Sequence, residues 1–360
     1  MKIAVLALTA AGRSLARRIS GQYPGQVDLY FKEGYSRSGQ EHTFESLPRL
    51  VENLFAAYEG LVFIMAAGIV VRVISPFIRH KAMDPAVVAL DEGGSFSISL
   101  LSGHLGGAND LAREIAALIG AVPVITTATD VQGRPAMALM ARKLGLAVEP
   151  FQNLKFINGV LVNGGKLGIF TDMPKPLLRE RCAELFADGI EILPLAEYPT
   201  QRTYFHAAVV MTDGVFPFPA SPPSLFLRPP TLHVGVGCRR GTSAGAILEA
   251  VEQACALSGR APSSVKTLAT AWLKSEEEGL IRAGEMLKVP VKTFPREALS
   301  GAIARFRLPV SKYVEEQIGV GAVCEPAALL AAGQGKLILG KQRYAGITVA
   351  IATDGCPWWA

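Results

Sequence analysis

The stretch whose residue types and spacing best suit chemistry is Leu100–Asp110, LLSGHLGGAND. There His104 lies among Gly103, Gly106 and Gly107, with Ser102 and Asn109 on either side. Glycines let a backbone turn sharply and come close to a ligand. The segment joins an apolar run at 95–101 to a helical pattern beginning near Asp110. A helix start offers unpaired N–H groups and the positive end of a dipole, both suited to an anion. An anion cradle with an acid/base group inside it is the pattern of an active site. The plainer reading is a loop histidine bonded to backbone. A second acid/base candidate, Asp130, ends PVITTATD, where Thr126, Thr127 and Thr129 add hydroxyls. Asp130 would serve equally as the cap of the following helix, and the threonines as ordinary strand ends. Arg72, Arg79, His80 and Lys81 form a basic patch that suits substrate carboxylates or a solvated face. Asp91 and Glu92 read as turn residues.

A second cradle lies near residue 240. Gly235-x-Gly237 leads through Cys238, Arg239, Arg240, Gly241, Thr242 and Ser243 into a helix. Two arginines, hydroxyls and helix-start amides suit a carboxylate or phosphate. Cys238 beside two arginines is either a thiol of lowered pKa or a packed one. The run Gly241-Thr242-Ser243-Ala244-Gly245 matches the serine-hydrolase elbow G-x-S-x-G, but no histidine follows Ser243, so the Ser…Asp…His order is impossible. Ser243 reads as a helix cap. The first loop, TAAGRS, lacks the glycine spacing of a dinucleotide fingerprint.

These loops need elements to hold them. Apolar runs alternate with helical patterns over the first ~145 residues, which predicts a mostly parallel sheet covered on both faces. Strands are expected at 2–8, 27–31, 61–66, 87–90, 95–101 and 122–126, with 87–90 and 95–101 paired as a hairpin. The ends of four of them carry small, glycine or hydroxyl residues. Since ligands bind beyond the carboxyl ends of parallel strands, a single shared crevice is expected there. Residues 159–172 read as a hairpin around Asn163-Gly164-Gly165, and 216–230, with six prolines, as an extended linker. A second strand–helix alternation starts at Thr231. The predicted fold class is α/β: two α/β domains with mostly parallel sheets (1–145 and 229–355). A small β-containing middle domain and Pro-rich linker (146–228) joins them.

Composition narrows the function. The 360 residues carry a net charge of +5, spread along the chain, which favours acidic small molecules over nucleic acid. The five cysteines (182, 238, 255, 324, 356) form no C-x-x-C pair, and the five histidines show no H-x-x-x-H spacing. That points to a reducing cytoplasm and to neither a disulfide framework nor a metal site. The N-terminus reads as a strand rather than a signal peptide. The most apolar window, 61–78, contains Arg72 and two glycines and reads as strand plus helix rather than a membrane span.

Three long runs, MAAGIVVRVISPFIRHKAMDPAVVALDEGG, SISLLSGHLGGANDLA and PVITTATD, resemble the N-terminal region of the CbiG family of cobalamin-biosynthesis proteins. GVGCRRGTS and Gly319-Val320-Gly321-Ala322-Val323-Cys324-Glu325-Pro326-Ala327-Ala328-Leu329 resemble its final domain, and Pro326 departs from the small residue expected there. The resemblance covers nearly the whole chain. It implies a cobalt-precorrin-5A hydrolase that opens the δ-lactone of a cobalt tetrapyrrole and releases the extruded meso carbon as acetaldehyde. The cobalt would arrive inside the substrate, with no cofactor of the protein's own and at most transient contact with neighbouring pathway enzymes. The residues then offer His104 or Asp130 as the base and loop amides at 103–108 as oxyanion donors. Substrate acids would meet Ser102, Gly103, Gly106, Gly107, Asn109, Thr126, Thr127, Arg72, Arg239, Arg240, Thr242 and Ser243. A non-catalytic corrinoid carrier and a sugar-phosphate or nucleotide enzyme are the competing readings.

Overall fold

A computed structural model describes residues 1–32, 41–80, 83–104, 106–131, 133, 135–216, 221–333, 335–355 and 357–359. Of the candidate residues, Lys81, Cys356 and the side chain of Thr129 lie outside the described set. The chain forms two compact units, Met1–Arg142 and Lys143–Ala360.

The first unit runs β1 (Ile3–Ala7), α1 (Ala10–Gln22), β2 (Val27–Lys32), β3 (Glu41–Phe44), α2 (Leu47–Leu54), β4 (Gly60–Ile64), α3 (Ala67–Ile74), β5 (Ala86–Leu90), β6 (Phe96–Leu101), α4 (Ala108–Ile119), β7 (Val122–Val124), α5 (Ala128–Val131) and α6 (Met137–Lys143). Its seven-stranded sheet has the order β3-β2-β1-β4-β5-β6-β7. The central strands IAVLA, GLVFI and AVVAL are buried along their whole length, as continuous apolar runs must be when helices cover both faces. One face packs on Leu15, Ile19, Leu111 and Ile115 of α1 and α4. The other packs on Val51, Leu54, Val70 and Val73 of α2 and α3.

The expected hairpin is present, since β5 and β6 are antiparallel, and it overturns the shared crevice. Strands β1 to β5 are parallel, whereas β6 and β7 are parallel only to each other. Leu101, at the end of β6, therefore lies beside Val87, at the start of β5. The exits of β6 and β7 are at the amino edge of the parallel strands. The exits of β1 and β4 are at the carboxyl edge, roughly 16 Å away at about 3.3 Å per residue.

In the second unit, β8 (Ala147–Glu149), α7 (Asn153–Val162), β9 (Leu167–Phe170), α8 (Lys175–Arg181), β10 (Ile190–Leu193), α9 (Tyr198–Gln201), β11 (Ala207–Met211) and β12 (Ser224–Arg228) build a sheet of order β10-β9-β11-β12-β8. Residues 159–172 are not a hairpin. Leu154, Ile157 and Leu161 repeat at helical spacing and bury one side of α7. Asn163-Gly164-Gly165 ends that helix, with Gly164 at φ +72° and the Gly165 amide bonded to the Val160 carbonyl. Nor is 216–230 simply a linker. Pro222-Pro223 and Pro229-Pro230 bracket SLFLR, which is the fully buried β12. Its Arg228 is 1 % exposed and donates to Glu149 and to the carbonyls of Thr212 and Gly214. The prolines sit outside the ladder, where their missing N–H costs nothing.

The remainder is β13 (Leu232–Cys238), α10 (Ala244–Leu257), β14 (Val265–Ala271), α11 (Glu278–Leu287), β15 (Val291–Phe294), α12 (Arg296–Phe306), α13 (Lys312–Ile318), α14 (Cys324–Ala331), β16 (Lys336–Tyr344) and β17 (Ile347–Thr353), with sheet order β15-β14-β13-β17-β16. Pro326 falls in the first turn of α14, where proline is tolerated. All three sheets are mostly parallel or mixed with helices between strands, so the α/β class holds. Among the described residues, no helix is long and apolar enough to cross a membrane.

Candidate active site

Where β6 ends, Ser102 turns the chain with φ +58°, a left-handed conformation uncommon for a residue with a Cβ. The loop is tightly folded. A side chain at Gly106 would meet the Ser102 Cβ at 2.4 Å and the Ser102 carbonyl at 2.9 Å, and one at Gly103 would meet Asn109 Oδ1 at 2.7 Å. Gly107, at φ +86°, starts α4. The amides of Gly107, Ala108 and Asn109 donate to the carbonyls of His104, Ser102 and Gly103 at 3.1, 3.1 and 3.0 Å. These helix-start donors are spent on the loop itself. This corrects the expectation of oxyanion donors across 103–108, since the amides of Gly107 and Ala108 are already taken.

His104 Nε2 lies 2.9 Å from Asp130 Oδ2, with the two side chains 19 % and 15 % exposed, sheltered yet reachable. Asp130 is not a cap. It lies within α5 and accepts from four side chains. Besides His104, Thr127 Oγ1 donates at 2.7 Å and Asn109 Nδ2 at 3.0 Å to Oδ2, and Arg113 donates to Oδ1. Burial alone pushes the Asp130 carboxyl up, but hydrogen bonds from Arg113, Thr127 and His104 outweigh it and hold its pKa at about 2. Asp130 is therefore ionised at neutral pH and can only accept. The shared proton therefore belongs to His104 Nε2.

Asn109 is 3 % exposed, which removes it from the surface that touches substrate. Its Oδ1 accepts from Ser99 at 2.7 Å while its Nδ2 donates to Thr127 at 2.8 Å. It ties β6, α4 and the 127–130 turn together. Thr127 belongs to this network; Thr126 makes none of these contacts. Arg113 and Ser99 were missed in the sequence. The available signal was helical spacing: Arg113 lies four residues after Asn109 and so on the same face of α4.

Arg72 is not brought to His104. Its guanidinium turns back to the Gly68 carbonyl at 3.2 Å, toward the carboxyl edge. Asp84 lies back at the amino edge, just before β5, with its carbonyl 3.3 Å from the Cβ position of Gly106. Asp84 there holds the Arg79 amide at 3.0 Å, so Arg79 and His80, both exposed, share the edge with the His104 loop. Gly107 also lines a cavity of about 470 Å³ with Glu59, Asp110, Glu114 and Arg142.

In the second unit, Gly235-x-Gly237 has a packing role. A Cβ at Gly235 would fall 1.8 Å from the Cys324 carbonyl, because α14 lies directly on the strand, and one at Gly237 would meet Thr348 Oγ1 at 2.6 Å. The loop after it already holds a carboxylate of this chain. Glu277 Oε1 accepts the Gly241 amide and Oε2 accepts Lys274, each at 2.7 Å. The Lys274 hydrogen bond, with lesser help from the Gly241 amide and the charge of Arg240, lowers the Glu277 pKa against burial. Thr242 donates to the Arg239 carbonyl at 2.7 Å. Ser243 caps α10, accepting from the Ala246 amide, as expected. Burial pushes the Cys238 thiol up more than Lys274 lowers it, so it is a packed thiol. A pair absent from the sequence reading, His233 Nε2 and Asp354 Oδ1 at 2.9 Å, forms because β13 and β17 align Leu232 with Thr353. With His233 2 % exposed, this pair is structural. No cluster of metal-ligating side chains occurs among the described residues.

Three family models match in order along the chain: Cobalamin synthesis G N-terminal over residues 49–130, the Cobalamin biosynthesis central region over 135–229, and Cobalamin synthesis G C-terminus over 232–352. The chain is 33 % identical to a cobalt-precorrin-5A hydrolase of Priestia megaterium, covering 97 % of this chain and 94 % of that protein. It is 34 % identical to one of Salmonella typhimurium, covering 97 % of each. A probable cobalt-precorrin-5A hydrolase of Methanocaldococcus jannaschii is 30 % identical over 82 % of this chain and 85 % of its own length.

Proposed function

The chain belongs to the cobalamin synthesis G family, and we infer from this that it is a cobalt-precorrin-5A hydrolase. The observation that carries the inference is identity of 33–34 % to two proteins of that name over 97 % of the chain. The His104–Asp130 pair supplies the acid/base chemistry that a lactone hydrolase needs.

Our reading of the reaction is as follows. His104 takes a proton from water as the water oxygen attacks the lactone carbonyl. Amides ahead of Gly107 donate to the developing oxyanion, as preorganised donors do. The ring C–O bond breaks, and the released alkoxide forms a C=O bond. The adjacent carbon–carbon bond then breaks and its electron pair goes to the macrocycle. The protonated His104 returns a proton there, and acetaldehyde departs. Asp130 acts through His104, fixing the tautomer and balancing the imidazolium; with a pKa of about 2 it is too weak a base to replace it. Arg79, exposed on the edge that carries the His104 loop, is the cation we assign to substrate acids, since the neighbouring cavity carries the carboxylates of Glu59, Asp110 and Glu114 beside Arg142. In the second unit, Arg239 and Arg240 remain candidates for substrate acids. The cobalt is part of the substrate, and no cofactor of the protein's own enters the scheme. We place the reaction in the cytoplasm, a reading supported by the four unpaired cysteines among the described residues.

The test is acetaldehyde release from cobalt-precorrin-5A under anaerobic conditions, read through alcohol dehydrogenase and NADH. Stoichiometric acetaldehyde that is lost in His104→Ala but kept in Ser243→Ala supports the reading. A folded protein that binds the tetrapyrrole and releases none is a carrier instead.

A further inference from the structure

A cavity of about 650 Å³ opens beside α7, lined by Gln152, Lys155, Phe156, Gly159, Val160 and His206 among others. Small-molecule sites typically span about 300–1,000 Å³. The floor is apolar: Phe156 is 49 % exposed although it sits in a well-formed helix, and Val160 lies one turn further on the same side. The rim carries donors. His206 Nδ1 accepts the Lys166 amide at 3.0 Å, which places the proton of the neutral ring on Nε2. Lys155 adds an ammonium group.

Gly159 sharpens the case. A glycine inside a helix weakens it relative to almost any other residue. Here an added Cβ would meet nothing within 4 Å, and the backbone conformation does not call for glycine. Neither packing nor geometry requires it; its effect is to leave the cavity floor open between Phe156 and Val160. An apolar, partly aromatic surface flanked by an ammonium group and an imidazole N–H fits a flat conjugated ring with carboxylates at its perimeter. The ring would stack on Phe156, and its acids would meet Lys155 and His206. We propose that this face of α7 is a binding site for one face of an anionic tetrapyrrole. The class of ring rests on the hydrolase reading; the binding itself can be measured without turnover.

The experiment is a fluorescence titration of the full chain with uroporphyrin, a porphyrin octacarboxylate. Phe156→Ala and Lys155→Glu, both at exposed positions, are each expected to weaken one binding equivalent about tenfold. Gly159→Leu should weaken it as much while raising the melting temperature, which separates loss of the site from loss of the fold. Unchanged affinity and stoichiometry in all three variants overturns the proposal. So does concentration-dependent self-association that disappears in Phe156→Ala while porphyrin affinity does not change, since the face would then belong to a second copy of the chain. Acetaldehyde release is scored separately. Turnover without porphyrin binding that depends on α7 sinks this proposal alone. Binding that depends on α7 without turnover supports it and sinks the hydrolase reading alone.

Discussion

Arg113 and His104 grip opposite oxygens of one carboxylate: the guanidinium holds Asp130 Oδ1 and the imidazole holds Oδ2. The strength of the first contact sets how firmly Asp130 can orient the second.

If His104 is the proton carrier, His104→Ala should lower kcat by about 10²–10⁴-fold, the usual worth of general acid/base help. The melting temperature should stay within a degree or two, because the ring is partly exposed. Wild-type turnover in a folded variant would remove His104 from the mechanism.

Arg113→Gln should let the Asp130 pKa rise from about 2 toward the ordinary carboxylate range. A depressed carboxylate pKa stabilises the fold above the unfolded-state value near 4, and that contribution is lost as pH falls toward 2. The variant should thus be less stable than wild type at pH 7 and lose less between pH 5 and 2. A carboxyl-carbon NMR titration of Asp130, with acid unfolding alongside, reads both effects; an unmoved Asp130 would show that Arg113 does not control it.

Gly106→Ala places a methyl where Ser102 already is, 2.4 Å from its Cβ, so the loop must shift. A misplacement near 1 Å commonly costs about 10²-fold. We expect kcat/KM to fall by at least tenfold while circular dichroism stays unchanged. An active Gly106→Ala enzyme would mean that the loop conformation is not needed.

The two basic positions make a paired test. Arg79→Ala, on the His104 edge, should raise KM severalfold. Arg72→Ala, whose guanidinium bonds the Gly68 carbonyl, should change it less than twofold. The reverse ranking would restore the carboxyl-edge crevice.

Burial pushes the His233 pKa down despite its bond to Asp354. The unfolded chain then takes up the proton first, so stability should fall as pH drops below about 6.5. Melting temperatures from pH 8 to 5 should decline more steeply for wild type than for His233→Leu; equal slopes would locate the acid sensitivity elsewhere.

Much of the fold is legible in local pattern. The buried strands read as apolar runs, and Ser243 reads as the cap it is at the start of α10. Local pattern failed where one signal has two meanings. Asn163-Gly164-Gly165 suits a hairpin turn or a helix end, and only the buried face of α7 decides between them. The prolines around SLFLR hid a central strand because they terminate it rather than interrupt it. His104 and Asp130 stand out by residue type, and the fold brings them to 2.9 Å of one another. The reversal at β5–β6 changes which loops meet, and a hairpin in the sequence does not by itself announce that consequence. Gly235 shows the converse: its close contact is with α14 and not with a ligand.

Ser99, His104, Asn109, Arg113, Thr127 and Asp130 come from one stretch of about thirty residues that runs from β6 through its loop and α4 to α5. Its ring closures are short, so little chain entropy is lost in bringing its parts together. A segment of such low contact order is expected to assemble early in folding, before the distant pairing of β1 with β4 is complete. Pulse-labelling hydrogen exchange should find the α4 amides protected ahead of those in β1.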